Sequence, residues 1–391
     1  MRRLALRLLA AVLALGALLA SPAMSGAATP NYLHLAKQGI KEARKKSNFW
    51  NPSLRWYNDR LNDKDQFPLA TAWSLVPLME AIEGVALAEP TKANKKNVAA
   101  HAKHAEKYWN PDLLPHGGYA PYPGDHGKDN HVWMDDNSWW GLQFVDAYRA
   151  TKNKRFLKDA RRANDFVDAR GWAGNAGGLA GGMRWNTFQY DRSPHTVANA
   201  TKSLEALAAA TALAAELYQY TGDTKYRDRA HKYLNWANQN ARDAKGLYEN
   251  ETQRVMTYVE GPIIGANMSL CNKGEKDACS QAELIARAMF DRTNGAPPNF
   301  GPQFDTIFFR FLVQLAKHDH NVLWWQWASN AAQQAIANAH DTKHPTLYLK
   351  FWDGTSVTAP EHQPLQMQYG QIQTHAAAVA LFAWLAAVPR P

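Results

Sequence analysis

Cysteine is almost absent: Cys271 and Cys279 are the only two in the chain. That excludes a small scaffold stapled by several disulfides and a cysteine-rich metal domain. Beyond the N-terminus no run of 18 apolar residues is free of charge, so no membrane span is expected. No block of lysine and arginine coincides with a nucleic-acid motif, so the formal net charge of +9 is not read as a nucleic-acid footprint. A phosphate-binding loop, a Ser/His/Asp signature and a cofactor fingerprint are all missing. The stretch Asp125 to Asp129 lacks the spaced ligand set of a calcium loop, so neither metal nor cofactor is expected. Strand-like alternation of apolar and polar residues is nearly absent as well.

What is present begins with a leader. Arg2, Arg3 and Arg7 precede an apolar run, Leu8 to Ala20, and a small-residue stretch, Ser25 to Ala28. This pattern predicts a secretory signal peptide over 1–28 and a secreted mature chain; the flanks of Arg2-Arg3 are not those of a twin-arginine signal. Removing three arginines leaves a net charge of about +6, spread along the chain. In an exported chain, Cys271 and Cys279 with Gly274 between them are expected to close one local disulfide. Fifteen tryptophans suit a carbohydrate-handling protein, although most must serve the core.

Apolar periodicity predicts helices at 32–47, 69–87, 90–108, 135–151, 154–170 and 197–221. It continues with 224–242, 258–270, 280–292, 304–318, 321–339 and 371–387. The links after 87, 151, 221 and 318 are short, and that between the cysteines is compact. Those at 48–68, 109–134, 171–196, 243–257, 293–303 and 340–370 are long, and long loops in a compact domain are usually functional. Helices near 69–87, 197–217 and 371–387 are apolar all round and belong inside; those at 90–108, 154–170 and 224–242 are charged on one side. His101 and His104 are expected on such a solvated face. Six inner helices alternating with six outer ones give an all-α fold, an (α/α)6 barrel in a single domain over 29–391. Its mouth is made by the loops that lead into the inner helices. A repeat supports this: Tyr148, Thr151, Phe156 and Ala160 recur as Tyr218, Thr221, Tyr226 and Ala230.

The stretch Trp133-Met134-Asp135-Asp136-Asn137-Ser138-Trp139-Trp140 then falls at the start of an inner helix, in the mouth. Paired carboxylates are the minimum equipment for acid/base work on a glycosidic bond, and Trp133, Trp139 and Trp140 offer faces for sugar rings. Acids here also serve as helix caps, and the two roles are compatible. The glycine-rich loop Gly177 to Trp185 allows close backbone approach to a ligand, with Arg184, Trp185 and Tyr190 as sugar contacts or as parts of a flexible rim. Tyr258 and Glu260 lead into another inner helix, where Glu260 is a third mouth carboxylate or a cap.

The motif Asp135-Asp136-Asn137-Ser138-Trp139-Trp140, with Ala147-Tyr148 and the Thr151 turn, resembles glycoside hydrolase family 76. Gly181 to Trp185, Leu213 to Tyr218, Tyr258 with Gly261 and Ile264 to Ala266, and Phe304, Ile307, Phe308 and Arg310 extend the resemblance over about 110–320. The resemblance implies an (α/α)6 enzyme that cleaves α-1,6-linked mannan, endo-acting and retaining, with Asp135 as nucleophile and Asp136 as acid/base. The chain departs from the family at Arg184, where Trp is usual, at Val259-Glu260, where Asn-Gln is usual, and at Asp305, where Lys is usual. The Lys-Asn-Ala run expected before the third inner helix is not evident around Asn199 to Lys202. Adjacent residues on a helix diverge by about 100° and can place carboxyls the roughly 5–5.5 Å apart that retention needs. The expected partner is a polysaccharide, and the expected state is a monomer. Two rivals remain open: another (α/α)6 sugar enzyme, inverting or a lyase, with Glu260 recruited, and a non-catalytic glycan-binding barrel.

Overall fold

The computed structural model describes residues 29–61, 69–128, 130–173, 181–187, 202–250, 253–359 and 367–391. The expected signal peptide, Gly177 to Ala180, Asp129 and Tyr190 lie outside them. Tyr32–Pro391 is one compact unit. Among the described residues there are twelve α-helices. The first six are α1 (Tyr32–Ala43), α2 (Ala72–Ala88), α3 (Lys92–Ala105), α4 (Met134–Thr151), α5 (Lys154–Phe166) and α6 (Leu204–Thr221). The others are α7 (Thr224–Asn240), α8 (Thr257–Cys271), α9 (Lys276–Arg292), α10 (Pro302–Asp319), α11 (Val322–Asn338) and α12 (Ile372–Ala387). Two small antiparallel hairpins pair Trp50–Asn51 with Trp56–Tyr57 and Trp109–Asn110 with Gly118–Tyr119.

The even-numbered helices are buried almost throughout, and the odd-numbered ones bury one side. The even helices pack in a cycle: α2 on α4, α4 on α6, α6 on α8, α8 on α10, α10 on α12, and α12 back on α2. Each odd helix packs on the even helix before or after it. No described helix is long and apolar enough to cross a membrane.

The sequence repeat is a repeated turn. Thr151 and Thr221 each donate to the carbonyl four residues back, Ala147 and Leu217, at 2.6 Å. Each then accepts the N–H two residues on, Asn153 or Asp223, at 3.2 Å. Asn153 and Asp223 in turn cap α5 and α7. Lys152 and Gly222 take the left-handed backbone (φ 62° and 73°) that stops the helix between them. A third such turn follows α10, where His320 is left-handed and Asn321 caps α11.

Two expectations are corrected. His101 is buried, between the Tyr57 hydroxyl at 3.0 Å and the Asn97 carbonyl at 2.9 Å, and His104 stacks on Trp56. The Trp50–Tyr57 hairpin folds over this face of α3 and takes it out of water. Gly181 and Gly182 serve packing rather than ligand approach. Both are left-handed, and a Cβ would lie 2.8 Å from Trp172 at the first and 2.8 Å from Trp236 at the second. The expected disulfide is present: Cys271 and Cys279 are bonded across the α8–α9 turn.

Candidate active site

The segments leading into all six even helices meet around one cavity of about 900 Å³. Asp59, Arg60 and Trp73 come from the α2 side, Tyr122, Asp125, Trp133, Asp135 and Asp136 from the α4 side, and Trp185, Lys202, Ser203 and Glu205 from the α6 side. Asn250, Arg254 and Tyr258, then Gln303 with Phe304, and Met367, Gln371 and Gln373 close the circuit. That volume is at the upper end of the about 300–1,000 Å³ usual for small-molecule sites. Its lining mixes aromatic faces with carboxylates and amides, which suits sugar rings and their hydroxyls.

Asp135 and Asp136 occupy the first turn of α4. The cap position belongs to Trp133, which makes no side-chain capping bond, so neither acid is the N-cap. Trp133 and Met134 are tied to the loop carrying Trp185: Trp133 bridges to Asn186, and the Met134 N–H donates to the Trp185 carbonyl at 2.8 Å. Asp135 Oδ2 accepts from the Tyr258 hydroxyl at 3.1 Å, and that hydroxyl accepts from Trp139 Nε1 at 2.6 Å. Trp73 and Phe304 meet the Tyr258 ring edge-on, with centroids at 5.2 and 5.6 Å.

This asymmetry separates the two acids. Burial raises the pKa of Asp135, while Tyr258 and the backbone N–H groups of Asp136 and Asp135 pull it back, to about 6. Burial, and then the neighbouring charge of Asp135, push Asp136 well above the carboxylate range. Near neutral pH the pair therefore holds one proton, on Asp136, beside an ionised Asp135. A protonated carboxyl and an ionised one stand side by side, the combination that acid/base chemistry requires.

The model of glycosyl hydrolase family 76 matches residues 115–382, more than half of the chain. The chain belongs to glycosyl hydrolase family 76. It is a glycoside hydrolase. No curated protein matches its sequence. Among solved structures, a family 76 α-mannanase from Bacteroides thetaiotaomicron superimposes with a TM-score of 0.76 at 19% identity, over 91% of this chain and 95% of that one. A family 76 mannosidase from the same species gives 0.73 at 18%, over 92% and 98%. An α-1,6-mannanase from Salegentibacter sp. HEL1_6 gives 0.67 at 15%, over 92% and 100%. That protein is an inactive variant, with two adjacent aspartates replaced by asparagine, in complex with α-1,6-mannotriose. At these identities the likeness establishes the fold.

In this family 76 hydrolase, Asp135, Asp136, Trp133, Trp185 and Tyr258 line the cavity together. Trp139 and Trp140 do not; both are fully buried, one turn deeper in a helix surrounded on every side. Trp139 acts through Tyr258 instead, and Trp140 packs on Tyr108, Tyr119 and Phe144. Arg184 donates to the Arg170 carbonyl at 3.1 Å and Glu260 accepts the Tyr248 N–H at 2.7 Å; neither is among the described residues of the cavity wall. Arg184 braces the loop instead, and Glu260, wholly buried, holds the strap before α8. Sequence reasoning missed Trp73, Glu205, Asn250 and Arg254. Each sits at the start of an even-numbered helix or in the loop before it, the placement that singled out Asp135.

Proposed function

We propose that this family 76 member is a secreted, retaining, endo-acting hydrolase of α-1,6-mannan, built as one (α/α)6 barrel after removal of residues 1–28. The leader-like N-terminus supports export, and the closed cycle of even helices flanked by odd ones supports the barrel. The observation that carries the reaction is the unequal acid pair in the cavity. Asp135 attacks the anomeric carbon while Asp136 gives its proton to the departing glycosidic oxygen, leaving a glycosyl ester on Asp135. Asp136, now a base, takes a proton from water. The water oxygen bonds the anomeric carbon and releases Asp135, with two inversions and net retention. The similar Salegentibacter mannanase, inactive after loss of two adjacent aspartates, supports the assignment, and its bound α-1,6-mannotriose supports the substrate. The wide cavity supports internal cleavage of a polymer.

The test is digestion of a panel of α-mannans and other α-glycans, with products resolved by size and the first-formed anomer read by NMR. Oligosaccharides released from α-1,6-mannan as α-anomers are expected. Release of single sugars from chain ends, or of β-anomers, would replace the endo or the retaining part of the reading.

A further inference from the structure

Glu205 stands in the first turn of α6 and lines the same cavity as the acid pair. An acid there is favoured by the helix macrodipole alone. Its hydrogen bonds go beyond that. Glu205 Oε1 accepts from Asn250 Nδ2 at 2.9 Å and Oε2 from Ser203 Oγ at 3.0 Å. Both donors are buried and held in turn: Ser203 caps α6 by accepting the Ala206 N–H at 3.0 Å, and Asn250 Oδ1 accepts the Arg254 N–H at 3.0 Å. Both are also neutral, so they orient the carboxylate without cancelling its charge.

We propose that Glu205 is a third working carboxylate of the site, a positioning residue that holds sugar hydroxyls beside Asp135 and sets the electrostatic environment of the nucleophile. The proposal rests on the reading of Asp135 and Asp136 as the catalytic pair. Each oxygen keeps acceptor capacity beyond its one bond to the protein, and sugar hydroxyls are donors. A negative charge here also favours the positive charge that grows on the sugar ring in the transition state. On the free enzyme the same charge opposes ionisation of Asp135, which Tyr258 from α8 promotes. Asp136 adjoins it on α4. The remaining charged or titratable groups among the described wall residues are Asp59, Arg60, Tyr122, Asp125, His131, Lys202 and Arg254; α10 and α12 bring only uncharged side chains to it, Asp305 in the first turn of α10 being engaged by Thr257 and Gly301 instead.

The experiment compares wild type, Glu205→Gln and Glu205→Asp by carbon NMR titration of labelled aspartate and by kcat and KM against pH on α-1,6-manno-oligosaccharides. In Glu205→Gln the Asp135 midpoint should fall by about half a unit or more, and the acid limb of kcat/KM should move with it. KM should rise about tenfold for the lost charge-assisted bond. Glu205→Asp, which keeps the charge and shortens the reach, should hold the midpoint and still raise KM. If wild type cleaves these substrates and neither midpoint nor KM moves in folded Glu205→Gln, the acid serves only the helix end and the proposal is overturned. If wild type cleaves no α-mannan yet the midpoint falls in the variant, the substrate reading fails and the electrostatic role of Glu205 stands.

Discussion

One phenol hydroxyl, together with two backbone N–H groups, sets two adjacent acids apart. Tyr258 donates to Asp135, and its own acceptor position is filled by Trp139 Nε1, so it is polarised toward the carboxylate. The ionised form of Asp135 is needed for attack, so kcat/KM should rise with pH through an acid limb near the Asp135 value of about 6. It should fall again only where Asp136, raised well above the ordinary range, gives up its proton. Tyr258→Phe removes a bond to the ionised form, so Asp135 should bind its proton more tightly. The acid limb should move to higher pH, and kcat should drop by about tenfold to a hundredfold. An acid limb that stays put or moves down would show that the hydroxyl is not what holds the charge. Asp135 and Asp136 were legible in the sequence because adjacent acids between tryptophans are rare at a helix start. Glu205 was not: a lone first-turn acid looks like any dipole partner, and Asn250, which orients it, lies 45 positions away. Glu260, read as a mouth carboxylate or a cap, was ambiguous for a related reason. In a helix buried on every side, periodicity cannot separate the direction that faces the cavity from the one that faces a neighbouring strap.

The helices were legible because each long apolar pattern ends in a turn with its own chemistry. In the Thr151 and Thr221 turns one hydroxyl serves both the outgoing and the incoming chain, and Asn153 or Asp223 starts the next helix. Replacing either cap by Ala should cost about 1 kcal/mol of stability, read as a lower denaturation midpoint, with activity on mannan unchanged because these turns lie outside the cavity wall. The boundaries that were misread have local causes. The second helix begins at Ala72 rather than 69 because Thr71 caps it through the Ser74 N–H. The ninth begins at Lys276, earlier than 280, because the disulfide-linked turn is tight. Replacing Cys271 and Cys279 together by Ser should cost about 2–3 kcal/mol through the reopened loop. A melting temperature unchanged in the double variant would contradict that.

Across the whole molecule, the axis of the helical array is filled with charge rather than with apolar side chains alone. Arg310 of α10 is fully buried and reaches Glu80 of α2 at 2.9 Å, Asp146 of α4 at 2.6 Å and Glu216 of α6 at 3.5 Å, so one side chain ties four even-numbered helices. Arg149 adds a second cation to Asp146 at 2.6 Å, and Trp384 of α12 donates to Glu80 at 3.1 Å. Arg310→Met leaves these acids buried without their counter-charge and should destabilise by about 3–5 kcal/mol or prevent folding. Burial, then Asp146, raises Glu83 well above the usual range, and burial raises Glu216 to about 7. The native chain thus keeps protons that the unfolded chain releases, so stability is greatest in acid for these groups and is lost as pH rises through their folded values. Buried His101 and His375 and half-buried His104, lowered to about 4, act oppositely, but only as pH falls below their unfolded value. Above the unfolded histidine value the acids govern, and the melting temperature should decline as pH rises and the raised carboxyls ionise. Glu83→Gln, which fixes the neutral form, should flatten that decline. A slope unchanged in Glu83→Gln would place the retained proton elsewhere.

The central claim is that Asp135 forms a glycosyl bond and Asp136 supplies the proton. The most direct measurement is the anomeric configuration of the azide adduct made by Asp136→Asn from an aryl α-1,6-mannobioside with an activated leaving group. Such a leaving group needs no proton, so the glycosyl ester should still form on Asp135, and azide should release it from the face the aryl group left. The account predicts rescue of turnover by azide and an α-mannosyl azide. A β-mannosyl azide would show direct displacement without an intermediate on Asp135, and hydrolysis of mannan by Asp136→Asn at the wild-type rate would show that Asp136 is not the acid.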